Sequence, residues 1–319
     1  MAGSRFTFEK TDEGMRVLTY EGDGRIVTVP GEADGRPVTE LAAGLFRFCP
    51  HIETIVLPAS LRFIGNNALD TCTSRLLPSA LKHMEIPAEN RYFREQDQTI
   101  YYFPGGDAGP LPFASRQPAV LLRYYGHDSI FRIPDGVSGV AVMAFKDAEL
   151  RQLAISPGVR FFGDKALRNC ENIERIDIER DGTSIYIPAL KYRKEEIYES
   201  LYDHIFDYEA YDRLFETYPY VEYRMKMAFC RLDAPVGLTE GMRRMYRVYV
   251  LDNLPEILRL IVGKDDVESL RELIKHGFFT EENILGSIEI MSEGDPMMLE
   301  LLLRHKMDRF REIREDMEL

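Results

Sequence analysis

Apolar positions in this chain fall into a phrase that recurs. Residues 52–72 read Ile52, Ile55, Leu57-Pro58, Leu61, Ile64-Gly65, Ala68-Leu69 and Cys72. Residues 150–170 repeat the order as Leu150, Leu153, Ile155, Val159, Phe162-Gly163, Ala166-Leu167 and Cys170. Leu41, Phe46 and Cys49 return 23 residues later as Ile64, Leu69 and Cys72, and Ile133 and Ala144 return 22 residues later as Ile155 and Ala166. Self-similarity at such a period marks stacked units, each too small to bury its own apolar face. Alternating Ile-x-Ile within each unit predicts a short strand with two side chains inward and one outward.

The flanks of the repeats read differently. Phe6-Thr7-Phe8, Arg16–Tyr20 and Arg25–Val29 are β-rich runs broken by Gly14, Gly22 and Gly24, and they predict an N-terminal β cap over residues 1–40. The repeats follow at 41–189. Near 90–125 the period loosens: Thr99–Phe103 and Ala119–Tyr125 flank the Gly/Pro-rich stretch 104–110 and predict an inserted hairpin. That stretch lacks a following Gly-Lys-Ser/Thr, so it reads as a surface loop rather than a phosphate cradle.

From Lys191 the period turns helical, and residues 190–319 form a second, all-α domain. Tyr198, Tyr202 and Phe206 share one helical face, and Tyr211, Phe215 and Tyr218 another; both rows read as helix-packing core in a chain without Trp. Thr239, Asp265 or Asp266, Thr280 and Asp295-Pro296 are helix starts, and Gly277 is a stop.

Composition narrows the functional classes. A net charge of −13 over 319 residues offers no cationic surplus to displace counterions from nucleic acid. No run of about 18 apolar residues predicts a membrane span. The first residues show no basic head followed by an apolar stretch, so a cytoplasmic location is expected, with a surface or secreted one as the alternative. The six histidines are scattered with no H-E-x-x-H, and no G-x-S-x-G or dinucleotide fingerprint occurs. No catalytic residue, cofactor or metal ligand is therefore assigned. His276, just before Gly277, suits a helix C-terminus. Cys49, Cys72 and Cys170 close the repeat phrase and Cys230 lies in an apolar helical run. Stacking brings Cys49 and Cys72 towards disulfide range, but reduced, buried thiols are favoured where no secretory signal is seen.

Together, I-x-I-P…V…I-G-x-x-A-F/L-x-x-C and the head Tyr20–Gly24, Val27–Pro30 and Gly35–Leu41 resemble the BspA-like, or Treponema-type, leucine-rich repeat over about residues 15–187. Leu41-Ala42 and Val140-Ala141 depart from the usual Ile-Gly, and Ser156-Pro157 displaces the proline. The tail is similar, more loosely, to an ankyrin-like helical module. The resemblance implies an α+β chain of two domains, a leucine-rich repeat solenoid and an ankyrin-like one, and non-enzymatic binding. Many members are bacterial surface proteins that engage host or bacterial ligands.

The outward positions of the strand ladder are the candidate contacts for a protein partner. By register they are Thr28, Val56, Glu85, Arg132, Ala154 and Asp177, joined by Thr54, Gln152 and Arg175, with Arg151 beside them, in rows about 4.8 Å apart along one continuous face. The expected role is a protein-interaction adaptor; the alternative is an adhesin.

Overall fold

The computed structural model describes residues 5–71, 79–106, 118–189, 191–201 and 206–316, of which 191–193 and 310–316 are described by backbone alone. Cys72, Leu76–Pro78, most of the Gly/Pro-rich stretch, Tyr202 and His204 lie outside the described residues. The chain forms two compact units, Met1–Arg180 with Ala189–Asp207, and Asp181–Pro188 with Tyr208–Leu319.

The repeat unit opens with the antiparallel pair β1 (Arg5–Lys10) and β2 (Met15–Glu21), followed by β3 (Ile26–Thr28), the short β4 (Glu32–Ala33) and β5 (Arg36–Leu41). The first repeats contribute β6 (Thr54–Val56), β7 (Phe63–Ile64) and β8 (His83–Glu85). The inserted stretch contributes β9 (Phe93–Gln96), β10 (Thr99–Tyr102) and β11 (Ala119–Tyr124). The later repeats contribute β12 (Ile130–Arg132), β13 (Val137–Val140), β14 (Gln152–Ile155), β15 (Phe161–Phe162) and β16 (Arg175–Ile178).

Each complete coil thus carries two strands, one more than the Ile-x-Ile pattern predicts. The Ile-x-Ile strands stack in parallel as β3-β6-β8 and as β12-β14-β16. The second strand of each coil stacks as β2-β5-β7 and as β11-β13-β15. This second strand explains the glycine of the phrase at Gly65 and Gly163. A Cβ on Gly65 would sit 2.5 Å from the backbone N of Ala43, and one on Gly163 would sit 2.3 Å from the backbone N of Val142. Successive coils approach so closely there that no side chain fits. The departures Ala42 and Ala141 lie in the first coil of each block. Their backbone N–H groups bond to Val17 and Leu121, in strands β2 and β11, rather than to a preceding coil of the same phrase.

The apolar positions of the phrase fill the interior. Ile55, Leu57, Leu61, Leu153, Ile155, Val159 and Phe162 are all buried, each contributing about 1.5–3 kcal/mol by its removal from water. Cys49 and Cys170 are buried and free, as the sequence reading expects, and burial pushes the Cys170 thiol up to about 12. Its Sγ donates to Phe145 O at 3.0 Å.

Strands β10 and β11, on either side of the Gly/Pro-rich stretch, pair antiparallel. A second hairpin, β9 to β10, was not legible: its turn is Asp97-Gln98, both with positive φ, where Asn-Gly would have signalled it.

Helix α1 (Lys191–Tyr198) belongs to the repeat unit, although its composition reads as the start of the helical part. Lys194 is buried and its Nζ donates to Glu171 O and Ile173 O at 2.6 and 2.7 Å. Tyr198 Oη donates to Cys170 O at 2.6 Å. These groups satisfy carbonyls at the open end of the last coil. Since α1 stops at Tyr198, Phe206 is buried from a non-helical segment and is not part of the helical row read in the sequence.

The second unit contains β17 (Thr183–Tyr186) and helices α2 (Tyr208–Thr217), α3 (Val221–Asp233), α4 (Glu240–Asp252), α5 (Leu254–Lys264), α6 (Val267–Lys275), α7 (Ile284–Met291) and α8 (Pro296–Asp316). α3 packs on β17, α4 and α5; α5 packs on α7; α8 packs on α6 and α7. Thr239 caps α4 by accepting from Met242 N at 3.2 Å, and Asp266 caps α6 by accepting from Ser269 N at 3.1 Å. Asp265 instead takes a left-handed conformation that ends α5. Thr280 accepts from Asn283 N in a turn before α7 rather than capping the helix, which begins at Ile284. The row Tyr211, Phe215 and Tyr218 is core.

At the centre of this unit lies a buried ionic network. Arg231, fully buried, donates from Nε and Nη2 to the two oxygens of Asp212 at 2.6 and 3.0 Å. Tyr246 Oη donates to Asp212 Oδ1 at 2.6 Å, and Arg231 also donates to Ala234 O and Val236 O at 3.1 and 3.0 Å. Burial alone would lower the Arg231 pKa; the Asp212 carboxylate outweighs it and holds the guanidinium charged.

Candidate functional site

The outward positions of the Ile-x-Ile strands stand in the register read from the sequence. In the first ladder Ile26, Thr54 and His83 align, as do Thr28, Val56 and Glu85. In the second, Ile130, Gln152 and Arg175 align, as do Arg132, Ala154 and Asp177. The face is not continuous, however. Among the described residues the two ladders are separate sheets. At the seam Tyr125 Oη accepts from Met84 N at 3.2 Å and donates to Glu95 at 2.9 Å. A tyrosine from the inserted segment therefore occupies a backbone donor that a next parallel strand would otherwise use. Thr54, Val56 and Glu85 consequently stand on one face and Arg132, Gln152, Ala154, Arg175 and Asp177 on another.

The second face is the more charged. Arg132, exposed on β12, grips Glu179 with Nε and Nη2, both at 2.7 Å, and reaches Asp135 at 3.0 Å. These hydrogen bonds, to Glu179 first and then to Asp135, raise the guanidinium pKa. Gln152 donates to Asp177 at 2.5 Å and Arg175 to the same carboxylate at 2.6 Å. Arg151, one residue before β14, bridges to Glu174 at 2.7 Å. Ala154 departs from the expected exposure: at 9% it is buried, because its methyl group stands between Arg132 and Asp177 in the same row. On the first face Glu85 is exposed, Thr54 and Val56 are half-buried, and Arg25 pairs with Glu53 at 2.8 Å.

Two features of the faces were missed. Ile26 and Ile130 are 66% and 61% exposed, each on the outermost strand of its ladder, where no preceding side chain covers it. They share the outward register of Thr28 and Arg132, two positions earlier on the same strands, while Val27 and Phe131 point in. The seam also holds a cavity of about 310 Å³, walled by Leu69 and Leu81 of the earlier block and by Tyr124, Tyr125, His127 and Ala148 of the later one. Lys146, in its wall, pairs with Asp70 of the earlier block at 2.5 Å. Nothing local in the sequence marks it, since it arises where an insertion interrupts the stack.

The family model for the BspA type Leucine rich repeat region matches residues 35–96 and 126–199 in six copies. This supports assignment of those residues to the leucine-rich repeat family. Comparison with curated proteins finds no match. Among solved structures, the T. pallidum Leucine Rich Repeat protein is 21% identical, with 54% of this chain and 67% of that chain covered at a TM-score of 0.33. The pneumococcal vaccine antigen PcpA is 19% identical, with 46% and 32% covered and a TM-score of 0.36. A leucine-rich repeat protein from Bacteroides ovatus is 19% identical, with 56% and 40% covered and a TM-score of 0.33. The chain spans less than half the length of the latter two. Among the described residues no helix is long and apolar enough to cross a membrane.

Proposed function

We propose that the leucine-rich repeat unit makes this chain a non-enzymatic protein-interaction scaffold, and that its partner docks on the outward face of β12, β14 and β16. The observation that supports this reading is the registered double row of Arg132, Gln152, Arg175 and Asp177, flanked by Arg151 and Glu174. It presents alternating positive and negative groups from rigid strands, with the exposed Ile130 at its edge. Such a face recognises a partner through charge complementarity and shape, with no bond chemistry. In this reading β1 and β2 form the N-terminal cap, and the short helices of the second unit are an ankyrin-like module. The role is that of an adaptor inside the cell; an exported adhesin would use the same face.

Affinity capture with crosslinking and mass spectrometry tests it, comparing the wild type with the triple variant Arg132→Glu, Arg151→Glu, Arg175→Glu. The variant is expected to lose the partner and its crosslinks to residues 130–179. Equal capture by both would place the site elsewhere. Crosslinks formed only to molecules outside intact cells would favour the adhesin.

A further inference from the structure

The helical unit carries a side-chain cluster that plays no part in the face just described. Glu272 and His276 are one turn apart at the end of α6 and its cap, so both project towards the same side. Asp233, the last residue of α3, meets them there. His276 Nε2 lies 2.8 Å from Asp233 Oδ1 and 3.4 Å from Glu272 Oε2, and the three ligand atoms lie within 4.8 Å of one another. His276 is 12% exposed, its ring stacked on Phe229. Its Nε2 is closed to solvent and makes no hydrogen bond, although a carboxylate oxygen is at hydrogen-bond distance. The oxygen is near the nitrogen but off its N–H axis. That is an unfavourable way to leave a buried imidazole, and a natural one for two atoms that share a cation rather than a proton.

We propose that Asp233, Glu272 and His276 bind a divalent transition ion of the zinc class. One imidazole and two carboxylates are a donor set that Zn²⁺ accepts, with bonds of about 2.0–2.2 Å. Ligand atoms at tetrahedral angles then stand about 3.4 Å apart. His276 and Glu272 already have that separation; Asp233 stands 2.8 Å from the imidazole nitrogen and within 4.8 Å of Glu272, so it is the ligand that shifts as the ion enters. Three protein ligands leave a fourth position open. The Lys275 ammonium sits against Asp233 and lies 3.1 Å from Glu272, where it balances both carboxylates. Its side chain is 54% exposed, so it can swing into water when the ion enters. Lys275 is thus the competitor for the site, and the three ligands tie the end of α3 to the end of α6. The sequence hides this: Glu272-x-x-x-His276 is separated from Asp233 by two helices.

Titration of the full chain with ZnCl₂ by calorimetry tests the site. The wild type is expected to take up one ion that Glu272→Gln and His276→Gln bind about tenfold or more weakly. Lys275→Gln, which keeps all three ligands, is expected to bind it more tightly. Wild-type affinity in a folded His276→Gln, checked by circular dichroism, overturns the proposal. So does unchanged or weaker binding by Lys275→Gln, an arm that stands even if a ligand variant fails to fold.

Discussion

In the repeat unit successive coils meet backbone to backbone at Gly65 and Gly163; in the helical unit the closest polar fit is made by side chains. Gly163 brings one coil so close to the next that a Cβ there would stand 2.3 Å from the backbone N of Val142. Arg231, by contrast, carries a charge into the interior of the helical unit, where Asp212, Tyr246, two carbonyls and the Tyr208 ring surround it. The first kind of fit recurs with the period and is therefore written repeatedly in the sequence. The second occurs once. The contrast teaches that a solenoid spreads its specificity over equivalent small constraints, whereas the helical unit concentrates it in one polar node.

The largest expected effect is at that node. Arg231→Met leaves the Asp212 carboxylate buried without its bidentate partner, which costs about 3–5 kcal/mol. Urea unfolding with hydrogen-exchange mass spectrometry should show the loss in peptides from 208–264. Peptides from 126–180 should keep their protection. If both units lose protection equally, the side-chain node does not belong to the helical unit alone, and the comparison breaks.

A smaller effect is expected in the repeats. Gly163→Ala drives a methyl group into the backbone of Val142 and is expected to cost about 1–3 kcal/mol, as overpacking does. Gly182→Ala serves as the contrast. That glycine has positive φ but nothing within 4 Å of the added methyl, so its cost comes from backbone conformation alone, about 1 kcal/mol. Equal losses at the two positions, read from urea midpoints, would mean that coil-to-coil contact at Gly163 is not what fixes the glycine.

What could be read in advance follows the same division. Ile55, Leu57, Ile155 and Val159 were legible because each belongs to a pattern that repeats, so one unit checks another. The second strand of each coil was concealed. It spans as few as two residues, as at Phe63-Ile64 and Phe161-Phe162, too short to show alternation. Tyr125 was unreadable as the residue that parts the two ladders, because its role depends on Met84, 41 residues earlier. The outward register of Arg132, Gln152, Arg175 and Asp177 was legible from strand alternation. Their ion pairing was not, since Glu179 reaches Arg132 from beyond the repeat phrase. Arg231 sits in Met-Ala-Phe-Cys-Arg-Leu, where helical periodicity shows that the position is inward but not what neutralises it. Lys191 onward was read as the start of the helical domain because composition reveals that a segment is helical, not which core it joins.

The smallest effect sharpens the comparison by asking how much a single helix cap contributes outside the node. Asp266 accepts hydrogen bonds from Ser269 N and Oγ and lies 3.3 Å from Lys226. Burial alone would raise its pKa, but the Ser269 hydrogen bonds and Lys226 outweigh it and hold the carboxyl below its usual 3.8. A carboxylate whose folded pKa is depressed stabilises the fold above its unfolded pKa, and that contribution is lost as pH falls through the folded value. Asp266→Ala is therefore expected to cost about 1 kcal/mol at pH 7. The difference from wild type should shrink as pH is lowered below the ordinary carboxylate value and the wild-type cap protonates. Asp266→Asn should keep part of the stability at pH 7, because an amide oxygen still accepts from Ser269, and its deficit should carry only the lost pairing with Lys226. A gap between Asp266→Ala and wild type that stays constant from pH 7 down to pH 2 would show that the side chain acts through packing rather than through its charge. The polar side of the comparison would then rest on Arg231 and Asp212 alone.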